Sequence, residues 1–144
     1  MTTNNTIQDF AELANNIKES YDKLNSLEGN SNWGYMEFAQ GLVGDMGDLT
    51  KLLMAKKKLR SFTGKDLDES IKHELCDILW SVLVISKELN IDLQDTFPKF
   101  VQELNSKVQT QIAKKTDLVD LSEFVGYIIL SDEGILKRVQ DDGM

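Results

Sequence analysis

Cysteine, proline and histidine each occur once in the 144 residues, as Cys76, Pro98 and His73. A lone cysteine excludes an internal disulfide. One histidine and one cysteine are too few for a zinc site, which draws on several such ligands. They are also too few for a ferritin-like di-iron site, which needs Glu-x-x-His motifs in duplicate. Positive charge is in short supply: 16 Lys and Arg face 24 Asp and Glu, for a net charge of −8. That argues against a nucleic acid polymer as partner, since phosphate backbones are bound by clustered Lys and Arg. A small nucleotide stays open, because a divalent cation can carry its phosphates. Long hydrophobic runs are missing, and the longest, "ILWSVLVI" at 78–85, is far too short to span a bilayer. The opening "MTTNNTIQDF" has neither the basic start nor the apolar stretch of a signal peptide. The expectation is a cytoplasmic protein with no membrane partner.

What is present is helical periodicity. Ile7, Phe10, Leu13, Ala14, Ile17, Tyr21 and Leu24 recur at threes and fours, which predicts an amphipathic helix over 6–27. "EGNSNWG" breaks it. A second helix is expected over 35–59, with Phe38, Leu42, Met46, Leu49 and Leu53 on one face. A third, capped by Asp66 or Asp68, ends near Asn90. A fourth follows Asp92 and runs to about Lys115, with a kink or a late start at Pro98. Asp120 and Glu123 resemble a capping box, and "FVGYIIL" beyond them reads equally as helix or buried strand. The expected architecture is all-α, a four-helix bundle over 1–116. Residues 117–144 form an extension on the bundle or on a partner chain.

Two pairs of acids stand out. Asp45 and Asp48 are three apart in "GLVGDMGDLTKL", and Glu74 and Asp77 are three apart in "KHELCDILWSVLVI". Residues at this spacing share a helix face. Gly41 and Gly44 lie on the same stretch, and glycine costs a helix roughly 1 kcal/mol against alanine. Close approach of a ligand or tight helix packing would each explain them. From Leu75 to Ile85 only Asp77 and Ser81 are polar, which predicts a helix buried on nearly all sides. A buried Asp77 would need a Lys or Arg, a proton or a metal. Two converging pairs of carboxylates suit Mg²⁺ or Mn²⁺. Acid pairs at helical spacing also occur as plain solvated surface, which would leave an interaction or assembly protein.

"LVGDMGDL" together with "HELCDILWSVLVISKELNIDLQDTF" resembles the MazG-like, all-α nucleoside triphosphate pyrophosphohydrolase superfamily. That family carries Glu-Glu-x-x-Glu on one helix and Glu-x-x-Asp on the next. Here the motifs read Gly44-Asp45-Met46-Gly47-Asp48 and Glu74-Leu75-Cys76-Asp77, with 25 residues between Asp48 and Glu74. The likeness covers about residues 33–105. It implies Mg²⁺-dependent (or Mn²⁺-dependent) cleavage of a nucleoside triphosphate to monophosphate and pyrophosphate, often on non-standard or surplus nucleotides. It also implies assembly as a homodimer or homotetramer, which the nearly all-apolar third helix independently suggests. Carried over residue by residue, it implies Asp45, Asp48, Glu74 and Asp77 as metal ligands, with Asp45 orienting the attacking water. Trp33 resembles a substrate-contacting aromatic of some relatives, though packing the loop onto the bundle would also explain it. Trp80 can line the pocket or belong to the core. Lys99 and Lys107 stand on the fourth helix, where some relatives supply basic residues to phosphates, and His73 adjoins Glu74. Gly44 occupies the place of the first glutamate. That departure opens the alternative of a nucleotide- or metal-binding bundle without catalysis.

Overall fold

The computed structural model describes the backbone of residues 6–141 and the side chains of residues 6–118. Its described elements are four helices: α1 Ile7–Glu28, α2 Tyr35–Lys56, α3 Leu67–Glu88 and α4 Leu93–Asp141. There is no strand among the described residues, so the fold is all-α.

Local chemistry sets the helix ends. The Thr6 hydroxyl accepts from the Asp9 N–H at 3.2 Å, and the Thr6 N–H donates to Asp9 Oδ2 at 2.7 Å, a reciprocal cap that starts α1. Gly29 ends it with a left-handed φ of 76°, a conformation that costs glycine little. The Gly34 N–H donates to Glu37 Oε2 at 2.9 Å at the start of α2. Of the two acids expected to cap α3, Asp66 does so, accepting from the Asp68 and Glu69 N–H groups, both at 3.0 Å. Asp68 instead pairs with Lys56, joining the end of α2 to the start of α3. Asp92 accepts from the Asp95 N–H at 3.1 Å and starts α4.

Residues up to Phe97 form one compact unit. In it α3 is the shared partner, packing on both α1 and α2. Ala14, Phe38, Leu83 and Val84 make the core, and Val84 is wholly buried. Trp80, Ile85, Ala11, Ile7 and Leu93 close around them. The apolar character of α3 on every side does not translate into burial on every side. Leu83 and Val84 are inside, whereas Leu75 and Leu79 are 50% and 53% exposed. Phe10, Leu13 and Ile17 of the α1 face are exposed as well. Three helices provide too little cover for this many apolar side chains.

A second unit begins at Pro98. α4 starts at Leu93 and runs through Pro98, so the late start is not seen. It also runs on past Lys115, and Asp120 and Glu123 lie inside it rather than at a new helix start. Pro98 is the only proline and the glycines beyond 115 are isolated, so nothing in the chain forces a stop there. "FVGYIIL" is therefore helical. Every described side chain from 98 to 118 is exposed.

Candidate functional site

Asp45 and Asp48 project from α2, and Glu74 and Asp77 from α3, on the two helices that pack most extensively. Their electrostatics show that they share a neighbourhood. Partial burial pushes the Glu74 carboxyl above its usual range, and the negative charges of Asp48, Asp77 and Asp45 push it further, with His73 opposing. The side chains are not drawn into a closed cluster. Among the described residues, no three or more His, Cys, Asp or Glu groups are gathered closely enough to hold a metal ion. Asp48 pairs with Lys51 at 2.5 Å, and Asp77 Oδ2 lies 3.2 Å from His73 Nε2. The Asp77 side chain is 41% exposed, which corrects the expectation of a buried carboxylate. It lies toward the more open part of α3, while burial is concentrated at Ser81, Leu83, Val84 and Ser86. The requirement for a buried counter-cation at Asp77 therefore lapses. Four carboxylates on two packed helices are oxygen donors of the type that hard cations such as Mg²⁺ take, but in this structure their side chains do not close around a common point.

Phe38 of α2 and Trp80 of α3 stand further along these helices, joined by Trp33 just before α2 and Tyr21 of α1. Trp33, Phe38, Trp80 and Tyr21 line a cavity of about 300 Å³, with Lys18, Asp22 and Asn25 at its polar edge. Phe38 is its hub. Its ring meets Trp33 edge-on at 5.6 Å between centroids and Trp80 at 5.3 Å. Trp80 is also 5.9 Å from Tyr21. The Trp80 indole N–H donates to the Ala14 carbonyl at 3.1 Å, which fixes that wall. Lys18 Nζ bridges Asp22 at 2.7 Å and Glu88 at 3.1 Å. Burial pulls the Lys18 ammonium down, but its bonds to Asp22 and Glu88 outweigh that and hold it above the usual lysine value.

The glycines separate into two cases. A Cβ on Gly41 would meet the Trp33 ring at 3.4 Å, so Gly41 is where the indole lies across α2. A Cβ on Gly44 would meet nothing within 4 Å. Along α2, Gly41, Asp45 and Asp48 follow at helical spacing. Along α3, Trp80, Asp77 and Glu74 do the same. Cavity and acids therefore adjoin through both helices, about 5 Å apart per turn.

Trp33 and Trp80, singled out from the sequence, thus line one cavity. Lys99 and Lys107 lie in the second unit, on one shallow face of α4 with Gln102, Glu103 and Ser106. Tyr21 and Phe38 were legible only as members of apolar helix faces, and Lys18, Asp22 and Asn25 carried no motif at all. No protein-family model matches the chain, and no curated protein or solved structure does either.

Proposed function

We propose that this chain is a Mg²⁺-dependent nucleoside triphosphate pyrophosphohydrolase. It converts a ribo- or deoxyribonucleoside triphosphate to the monophosphate and pyrophosphate, clearing surplus or non-standard nucleotides in the cytoplasm as a homodimer or homotetramer. The observation that carries this reading is the placement of Asp45 and Asp48 on α2 and of Glu74 and Asp77 on α3, two helices that pack on each other, one helical turn from an aromatic cavity. A base between Trp33 and Trp80 would send its phosphates toward the acids. Asp45, Asp48, Glu74 and Asp77 would hold Mg²⁺ or Mn²⁺. When bound, that ion supplies charge neutralisation on the triphosphate and a more acidic water.

The chain's own residues do the rest. Trp33 and Trp80 stack on the base, and the cavity excludes water from it. Asp45 accepts a hydrogen bond from the water that attacks the α-phosphorus as the α–β bond breaks. Incubation with a panel of nucleoside triphosphates tests the reading. Pyrophosphate and monophosphate should form in equal amounts with wild type and not with Asp77→Ala.

One observation favours a second reading, nucleotide or cation binding without cleavage. The space beside Gly44 is open where the resemblance calls for a glutamate. Stabilisation by Mg²⁺ with no product from any nucleotide would select it.

A further inference from the structure

The turn between α2 and α3 reverses the sign of the chain. Residues 56–65, "KKKLRSFTGK", hold five Lys and Arg and no acid, while all other residues together carry 11 Lys and Arg against 24 acids, a net −13. Lys56 pairs with Asp68, but Lys57, Lys58, Arg60 and Lys65 are exposed and have no acidic partner among the described residues. The acids that follow are already engaged, with Asp66 capping α3 and Glu69 paired with Lys72 at 2.6 Å. The turn also has a fixed shape. The Leu59 N–H donates to the Met54 carbonyl and the Lys58 N–H to the Ala55 carbonyl, both at 2.9 Å, with Lys58 at a left-handed φ of 58°. Glycine or asparagine usually takes that position, and the next residue commonly folds an apolar side chain back on the helix. Leu59 does not fold back, and is 70% exposed between Lys58 and Arg60.

We propose that this turn docks on an anionic phospholipid surface, its four unpaired cations meeting the headgroups and Leu59 entering the boundary between headgroups and acyl chains. Clusters of this size are drawn to negatively charged leaflets, at roughly fivefold in affinity per Lys or Arg. The acidic remainder of the chain does not cancel that attraction. Asp48, the nearest acid on α2, precedes Lys57 by nine residues. That is about 13 Å along the helix, beyond the ~8 Å screening length at physiological salt. A nucleic acid would satisfy the cations but offers nothing to a single exposed leucine, so a lipid surface matches the whole turn. The contact is peripheral, since no helix among the described residues is long and apolar enough to cross a membrane. A basic patch with one apolar side chain binds reversibly. The proposal stands independently of the enzymatic reading.

The test is co-sedimentation of the full chain with lipid vesicles. Wild type should pellet with vesicles of phosphatidylserine and phosphatidylcholine in equal parts, stay in solution with phosphatidylcholine alone, and be released as salt rises. Replacing three cations together, Lys57→Gln, Lys58→Asn and Arg60→Gln, should weaken binding on the order of 100-fold. Leu59→Gln should weaken it about 10-fold. Asparagine tolerates the left-handed position, and the pair between Lys56 and Asp68 is untouched, so both variants should melt as wild type does. Wild type that does not pellet, or that pellets equally with phosphatidylcholine alone, overturns the proposal. Leu59→Gln binding vesicles as tightly as wild type also overturns it, as does duplex DNA that strips wild type from the vesicles, since the cations would then serve a polyanion rather than a bilayer.

Discussion

The Trp80 indole N–H on α3 donates to the Ala14 carbonyl on α1 at 3.1 Å, and this bond both ties two helices together and fixes one wall of the aromatic cavity. Trp80→Phe keeps an aromatic ring and removes the donor. The expected cost is about 1 kcal/mol, the usual net worth of such a bond. A fall in the urea midpoint with an unchanged slope would register it.

Phe38 is 4% exposed and touches both Trp33 and Trp80. Phe38→Ala empties the hub of the core and of the cavity together. A loss of about 3–5 kcal/mol is expected, as for other buried aromatics. Chemical denaturation measures it, and tryptophan emission should shift to the red as both indoles gain water.

Gly41 and Gly44 should respond oppositely to alanine. At Gly44 the added methyl has open space, so helix propensity alone acts and the protein should gain roughly 1 kcal/mol. At Gly41 it meets the Trp33 ring at 3.4 Å, so the indole must shift and nucleotide affinity should fall. Melting curves and nucleotide titration of the two variants separate these effects. Gly44→Glu, which fills the same open space with the missing carboxylate, should raise the rate of pyrophosphate release.

The Glu74 carboxyl carries a folded-state pKa above its ordinary 4.5, so ionising it costs the folded state. Without added metal, its contribution is most favourable below that ordinary value. It is lost as pH rises through the raised pKa and stays lost beyond. Glu74→Gln should therefore melt higher than wild type at neutral pH, and the gap should close on acidification. Asp9 and Asp68, held below their usual range by Thr6 and Lys56, act in the opposite direction in both proteins and cancel in the comparison.

The helices were legible because their signals are local. The α1 periodicity, the break at "EGNSNWG" and the caps at Asp66 and Asp92 each depend on a few neighbouring residues. The end of the fourth helix was misjudged because a possible cap inside a helix reads like a start. Burial was the harder quantity. The apolar run around Asp77 implied a buried acid, yet burial depends on which neighbours cover each face, and the Asp77 side chain is 41% exposed. The aromatic cavity was half legible. Trp33 and Trp80 stood out as residues, but the walls given by Tyr21 and the polar edge given by Lys18, Asp22 and Asn25 come from a third helix that no local motif connects to them.

The central claim is that Asp45, Asp48, Glu74 and Asp77 act as one divalent-cation site. The most direct measurement is the melting temperature during a Mg²⁺ titration of wild type beside Asp77→Ala. A ligand that binds only the folded state must raise the midpoint as its concentration rises. The account predicts a saturable rise in wild type and none in the variant. Equal curves for the two proteins, or no rise in either, would contradict it.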